Sequence, residues 1–251
     1  MKTKNLFTLI MAITSTVLTA FVLNGCTPEE PKARSYGFTV SRNNAVLSGS
    51  AVSIQTGYQN YTAKTGNDGK CEIKIPNNVS LPEYTIVTID HSSIKPYCLS
   101  VSGSANAKTS LPINCQNVPT NTKVRESSLH HLGNDIYGVG SANSQLQLPT
   151  EGLYKTFSFN LTSIPGSMPY LQIYVRGIEH PMEIILNGIT INTLGNSASN
   201  GDLSLWDFKL SGNPSAILRI GNNVLTIKTG ATNKPNDPWD DIEFCGLLLY
   251  Y

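Results

Sequence analysis

Charge is scarce in this sequence. Asp, Glu, Lys and Arg make up 14% of 251 residues, and 18 basic residues face 17 acidic ones. No basic face follows from that balance, which excludes nucleic acid as the expected partner. Helical periodicity is missing too: no long stretch after residue 30 repeats its apolar residues at i, i+3 and i+4. There is no G-x-S-x-G elbow, H-E-x-x-H pair, P-loop or C-x-x-C. Those absences remove the common signatures of esterases, zinc proteases, nucleotide-binding enzymes and thiol oxidoreductases. A glycosidase carboxylate pair among Glu179, Glu183, Asp202 and Asp207 would be defined by separation in space, which spacing along the chain does not give. The expectation is a protein that is not an enzyme.

What is abundant is Ser, Thr, Asn and Gly, the profile of a secreted β protein with many turns. The start of the chain fits export. Met1-Lys2-Thr3-Lys4 precedes an apolar run from Leu6 to Leu23, and Gly25 stands directly before Cys26. A signal peptide needs small residues at its cleavage point. As a transmembrane helix the run is only marginally long enough, and Thr14, Ser15, Thr16 and Thr19 weaken it. Leu23-Asn24-Gly25-Cys26 resembles a bacterial lipobox, with Asn24 the less usual residue. The resemblance implies removal of residues 1–25 and lipidation of Cys26. It also implies an outer-membrane location, on the periplasmic or extracellular face, because Thr27 rather than Asp follows the cysteine. Lipid chains anchor a soluble domain at about 0.8 kcal/mol per buried methylene. Loss of Lys2 and Lys4 takes the 18 basic residues to 16, against 17 acidic.

Residues 26–35 are polar, contain proline and read as a tether. From Tyr36 to Cys115 the pattern alternates with period two. Val52 and Ile54 share a face, as do Cys71, Ile73 and Ile75, with Glu72 and Lys74 opposite. Asn67, Asp68 and Gly69 mark a turn between strands. The stretches "GSAVSI" and "YTAKTGNDGKCEIKIP" are similar to Ig-like or prealbumin-like modules of the carboxypeptidase-regulatory type, through a G-x-x-V strand and a T-x-x-x-G turn. The resemblance implies a small β-sandwich over residues 36–115. Residues 116–128, "QNVPTNTKVRESS", lack alternation and read as a linker. Beside Cys26 stand Cys71, Cys98, Cys115 and Cys245. In an oxidising compartment these allow either a bridge within residues 71–115 or buried free thiols.

Alternation resumes from residue 129. Leu171, Ile173 and Val175 are expected inside, with Tyr170, Tyr174 and Arg176 outside. In "MEIILNGITINTLG", Asn187-Gly188 between β-rich runs signals a type I′ hairpin, whose central residues both need positive φ. This hairpin, the W-x-F strand at Trp206 and the run Gly221, Asn223, Leu225, Ile227 together resemble a galactose-binding-like jelly roll. That resemblance implies an all-β chain in which an N-terminal sandwich is followed by a jelly-roll β-sandwich over residues 129–251.

Fold alone does not fix a ligand. Loop aromatics stack on sugar rings while nearby polar groups bond the hydroxyls. Trp239, Tyr137, Arg176 and Asp240 are therefore the expected glycan contacts; a protein-binding adhesion or structural module, its partner unspecified, is the alternative. Trp206 alternates with Phe208 and Leu210 and is assigned to the core. Asp135, Asp237 and Asp241 are the expected ligands of a structural calcium, since hard oxygen donors suit that ion. His130 and His131 are adjacent on a strand and point to opposite faces, so one metal ion cannot take both.

Overall fold

A computed structural model describes residues 33–56, 59–82, 84–102, 107–135, 148–195 and 203–251. The leader, Cys26 and Tyr137 lie outside the described residues. Among the described residues no helix is long and apolar enough to cross a membrane. The fold is all-β. In chain order the first half contains β1 (Ala33–Arg42), β2 (Ala45–Val46), β3 (Ala51–Thr56), β4 (Gln59–Lys64), β5 (Lys70–Pro76), β6 (Tyr84–Asp90), β7 (Tyr97–Ser102) and β8 (Ala107–Cys115). One sheet joins β1 to β2, β5 and β8, and the other runs β4-β3-β6-β7. Alternation places Tyr36, Phe38, Val40, Val52, Ile54, Ile73, Ile75, Val87 and Ile89 in one core between them.

The second half continues with β9 (Thr122–Glu126), β10 (His130–Leu132), β11 (Tyr154–Leu161), β12 (Tyr170–Arg176), β13 (Met182–Leu186), β14 (Ile189–Leu194), β15 (Ser204–Lys209), β16 (Gly221–Lys228), β17 (Ala231–Lys234), β18 (Asp237–Trp239) and β19 (Ile242–Tyr250). A one-turn helix, α1 (Pro214–Ile217), precedes β16, and the Asn213 side chain caps it by accepting from Ser215 N at 3.2 Å. One sheet runs β10-β19-β12-β15, with β9 also on β19; the other runs β11-β16-β13-β14. Leu171, Ile173, Val175, Ile184, Leu225, Ile227, Phe244, Leu247 and Leu249 fill the space between the two. Trp206 and Phe208 pack against that core from β15, as their spacing implies.

The expected hairpin is present. Leu186 pairs with Ile189 across Asn187 (φ 52°) and Gly188 (φ 84°). Asn187 does more than turn the chain. Its side chain accepts from Val224 N at 2.9 Å and donates to Asn223 Oδ1 at 2.8 Å, while fully buried Asn223 donates to Arg219 O and Gly221 O. The two asparagines thus satisfy backbone groups that the entry to β16 would otherwise bury unpaired.

Two expectations need correction. The segment 116–128 is not linker throughout. Residues 122–126 form β9, which pairs with residues 247–250 of β19. Val124 is buried in the C-terminal core, and Arg125 reaches Asp90 and donates to His91 O at 2.7 Å. One buried valine among polar neighbours is too little alternation to reveal a short strand. The second correction concerns β12. Tyr170 is outside, but Tyr174 and Arg176 are buried along with Gln172. The first sandwich covers them: Gln172 Nε2 donates to Pro96 O at 3.1 Å, and an Arg176 guanidinium nitrogen donates to Tyr84 O at 2.7 Å.

Candidate functional site

The acidic edge is built by β18, the start of β19 and the turn after β10. Trp239 is half-buried, opposite Ala231 in the β17–β18 hairpin. Asp240 is buried at 6% exposure, and its Oδ2 accepts Glu179 N at 2.8 Å and His180 N at 2.9 Å. Burial pushes its carboxyl above the usual range, although those two N–H groups pull the other way. Asp241 Oδ1 accepts Asp135 N at 3.0 Å and lies 3.6 Å from His131 Nε2. A side chain at Gly133 would overlap Asp241 Oδ1, so glycine there makes room for the carboxylate. Asp237 Oδ1 accepts from Asn134 Nδ2 at 3.4 Å.

Asp237 and Asp241 therefore hold this edge together through donors of the chain itself. Among the described residues they do not converge with Asp135 into a three-ligand set. The set that does converge is Glu179, His180 and Asp240, whose ligand atoms lie within 4.8 Å of one another. His180 Nδ1 has no hydrogen-bond partner. One nitrogen with carboxylate oxygens suits a zinc-class cation better than calcium. Sequence reasoning passed over His180 because its partner Asp240 is sixty positions away.

Arg176, expected as a sugar contact, has another occupation. Its Nε donates to Glu243 Oε2 at 2.7 Å, and the two side chains are 4% and 0% exposed. A fully desolvated pair with no open face cannot greet a ligand; it fastens β12 to β19 and to the first sandwich. His131, on the same sheet face, is also buried. Burial alone would lower its pKa, but the Asp241 carboxylate 3.6 Å from Nε2 and the charge of Glu243, with lesser help, hold it above the usual histidine value. His130 points to the opposite face, stacking on Phe244 with ring centroids 4.9 Å apart.

The open surface with mixed aromatic and polar character lies elsewhere, at the seam of the two sandwiches. The outer strands β7 and β15 face one another there, with Leu203 N donating to Ser100 Oγ at 3.4 Å. Between them is a groove of about 440 Å³ lined by Tyr97, Cys98, Leu99, Tyr174, Leu203 and Leu205, with Ser100. Tyr97 and Tyr174 meet edge to face at 5.9 Å. Further along the same face, Tyr170 stacks on Tyr250, centroids 5.5 Å apart and planes at 19°. The Lys95 ammonium lies 4.8 Å from the Tyr250 ring centroid and 3.1 Å from Asp207 Oδ2, while Tyr250 donates its hydroxyl proton to Asp207 Oδ1 at 2.8 Å. Burial and the Asp207 carboxylate push the Tyr250 phenol well above its ordinary pKa. Tyr170 keeps 42% and Leu205 53% of its surface exposed. The arrangement offers fixed aromatic rings beside a preset carboxylate and ammonium, the mixture that suits a polyhydroxylated ring.

No protein-family model matches this sequence, and no curated protein matches it. Solved structures offer only distant likeness. The T=1 particle of infectious bursal virus is 11% identical with a TM-score of 0.30, over 87% of this chain and 72% of that one. An exo-β-1,3-galactanase from Phanerochaete chrysosporium, solved with β-1,3-galactotriose, is 13% identical with a TM-score of 0.24, over 85% and 56%. A candidate carbohydrate-binding protein from Bacteroides uniformis is 11% identical with a TM-score of 0.22, over 86% and 97%. Likeness this weak carries no argument about a ligand, so the functional case rests on the residues above.

Proposed function

We propose that this chain is a non-catalytic, lipid-anchored protein of the bacterial outer membrane that binds glycan at the seam between its two sandwiches. The observation that carries the proposal is the sequence of stacked groups Lys95, Tyr250 and Tyr170, with Asp207 bonded to two of them. Lys95 and Asp207 hold the Tyr250 ring in place, so little side-chain entropy is lost when a sugar packs on the tyrosines. The anchor rests on Leu23-Asn24-Gly25-Cys26. Cys26→Ser should abolish partition into detergent; a variant that still partitions removes the anchor from the proposal.

A glycan array probed with the full chain is the direct experiment. Binding to a discrete set of glycans, lost in Asp207→Ala, is expected. A second reading, a protein partner, is favoured by one feature: β7 and β15 are both outermost in their sheets, and extended peptides add to such edges. An array without hits, combined with capture of a defined extended peptide that Leu205→Asp abolishes, would replace the first reading with the second.

A further inference from the structure

Four thiols, Cys71, Cys98, Cys115 and Cys245, are free in this structure. Their positions differ sharply. Cys71 pairs with Phe38 on one side of β1, and Cys115 pairs with Arg42 on the other side. Two strand spacings of roughly 4.8 Å and a shift of four residues separate them, far beyond the roughly 4.4–6.8 Å between Cα atoms that a disulfide spans. Cys115 belongs to the core of the first sandwich, and the partly buried Cys71 packs against it.

Cys98 and Cys245 come from different sandwiches and meet. Cys98 is on β7 and Cys245 on β19, at 3% and 0% exposure, and with Ile86 and Tyr174 they form a separate small core at the seam. Cys245 stands close enough to Cys98 to help burial raise the Cys98 thiol pKa. The contact depends on a bulge. Between Gln172 and Tyr174 the register on β19 jumps from Leu248 to Cys245, and Gly246 takes φ 60° there. A Cβ on Gly246 would lie 3.1 Å from Cys98 Sγ and 2.7 Å from the Tyr174 ring, so a side chain at this position would crowd the sulfur.

We infer that Cys98 and Cys245 form an intramolecular disulfide that joins the two sandwiches beside the groove at their seam, a covalent site that the sequence alone would not select. The reaction is thiol–disulfide exchange with an external disulfide oxidant. One thiolate attacks the oxidant and expels one thiol; the second thiolate attacks the mixed disulfide and expels the other. The Cys98–Cys245 S–S bond forms, the oxidant's S–S bond breaks, and the two cysteine protons leave with the two thiols released. Cys98 lines the groove but is only 3% exposed, so an oxidant reaches its sulfur chiefly before the fold has closed. Burial disfavours the thiolate that must attack, so exchange is slow once the fold has closed and fastest while the chain is folding. The inference uses the export reading only for its oxidising compartment. It does not depend on glycan binding.

The test uses three samples of the full chain: as isolated from cells, held natively with oxidised glutathione, and refolded from the reduced unfolded state in a mixture of oxidised and reduced glutathione. Each is blocked by alkylation in denaturant and mapped by mass spectrometry. The expected result is a peptide pair linked through Cys98 and Cys245, two hydrogens lighter than the free peptides, with Cys71 and Cys115 alkylated. A reductant should then lower the melting temperature of the wild type and leave Cys245→Ser unchanged. Linkage in the glutathione samples but not in protein from cells keeps the disulfide and refutes export to an oxidising compartment. Alkylation of both Cys98 and Cys245 in every sample, or a bridge of different pairing, overturns the inference.

Discussion

The two faces of β12 are made of similar strand material and do different work. One carries Leu171, Ile173 and Val175 into a uniform apolar core. The other carries Tyr170, Gln172, Tyr174 and Arg176, of which only Tyr170 is exposed. A mixed polar and aromatic face can lie under water or under a second sandwich, and its letters do not distinguish the cases. Here it is covered along most of its length and open at one end. The cover needs each buried polar group satisfied, and the open end supplies the candidate site.

The comparison predicts its largest effect at the covered ion pair. Arg176→Ala should cost about 3–5 kcal/mol in urea unfolding, because the fully buried Glu243 loses its guanidinium partner. Replacing both partners, Arg176→Met with Glu243→Leu, should be milder, since the two charges are removed together, although the Tyr84 carbonyl still loses its donor. Equal damage from the single and double variants would mean that packing rather than charge governs that face.

A smaller effect belongs to the other sheet. Gly188 has φ 84° and open space around it, so only backbone strain opposes a side chain there. Gly188→Val should cost about 1–2 kcal/mol, and Gly188→Asn less, because asparagine tolerates the left-handed region best. Glycan affinity of the folded variant should be unchanged. Lost affinity at an unchanged melting temperature would move the binding site to this hairpin.

The smallest effect depends on pH. His131 is held above its ordinary pKa in the folded state by Asp241 and Glu243. A raised folded value stabilises the fold fully below the unfolded pKa of about 6.5, and that contribution is lost as pH rises through the folded value. The stability advantage of the wild type over His131→Gln should therefore be larger near about pH 5.5 than near about pH 8, by linkage. An advantage that grows towards alkaline pH would contradict the assignment.

Much of the fold is legible in the sequence because it depends on period two. The inward sets on β3, β5 and β12 follow from alternation, and Asn187-Gly188 marks its turn directly. The site is far less legible. Lys95, Asp207 and Tyr250 are distant along the chain: Asp207 and Tyr250 meet across β12 in one sheet, and Lys95 joins them because one sandwich packs on the other. Trp239 drew attention as a tryptophan in a polar, proline-flanked segment, yet it is half-buried in a small hairpin. Arg176 read as an outward charge because its partner Glu243 lies in another strand that alternation alone cannot pair with it.

The central claim, that ligand binds at the open end of the seam rather than at the acidic edge, is tested most directly by calorimetric titration. A glycan selected on the array is titrated into wild type, Tyr170→Ala and Trp239→Ala under one buffer. The account predicts an affinity for Tyr170→Ala weaker by about tenfold, equivalent to about 1.4 kcal/mol, and an unchanged affinity for Trp239→Ala. Full affinity in Tyr170→Ala with loss in Trp239→Ala would contradict it.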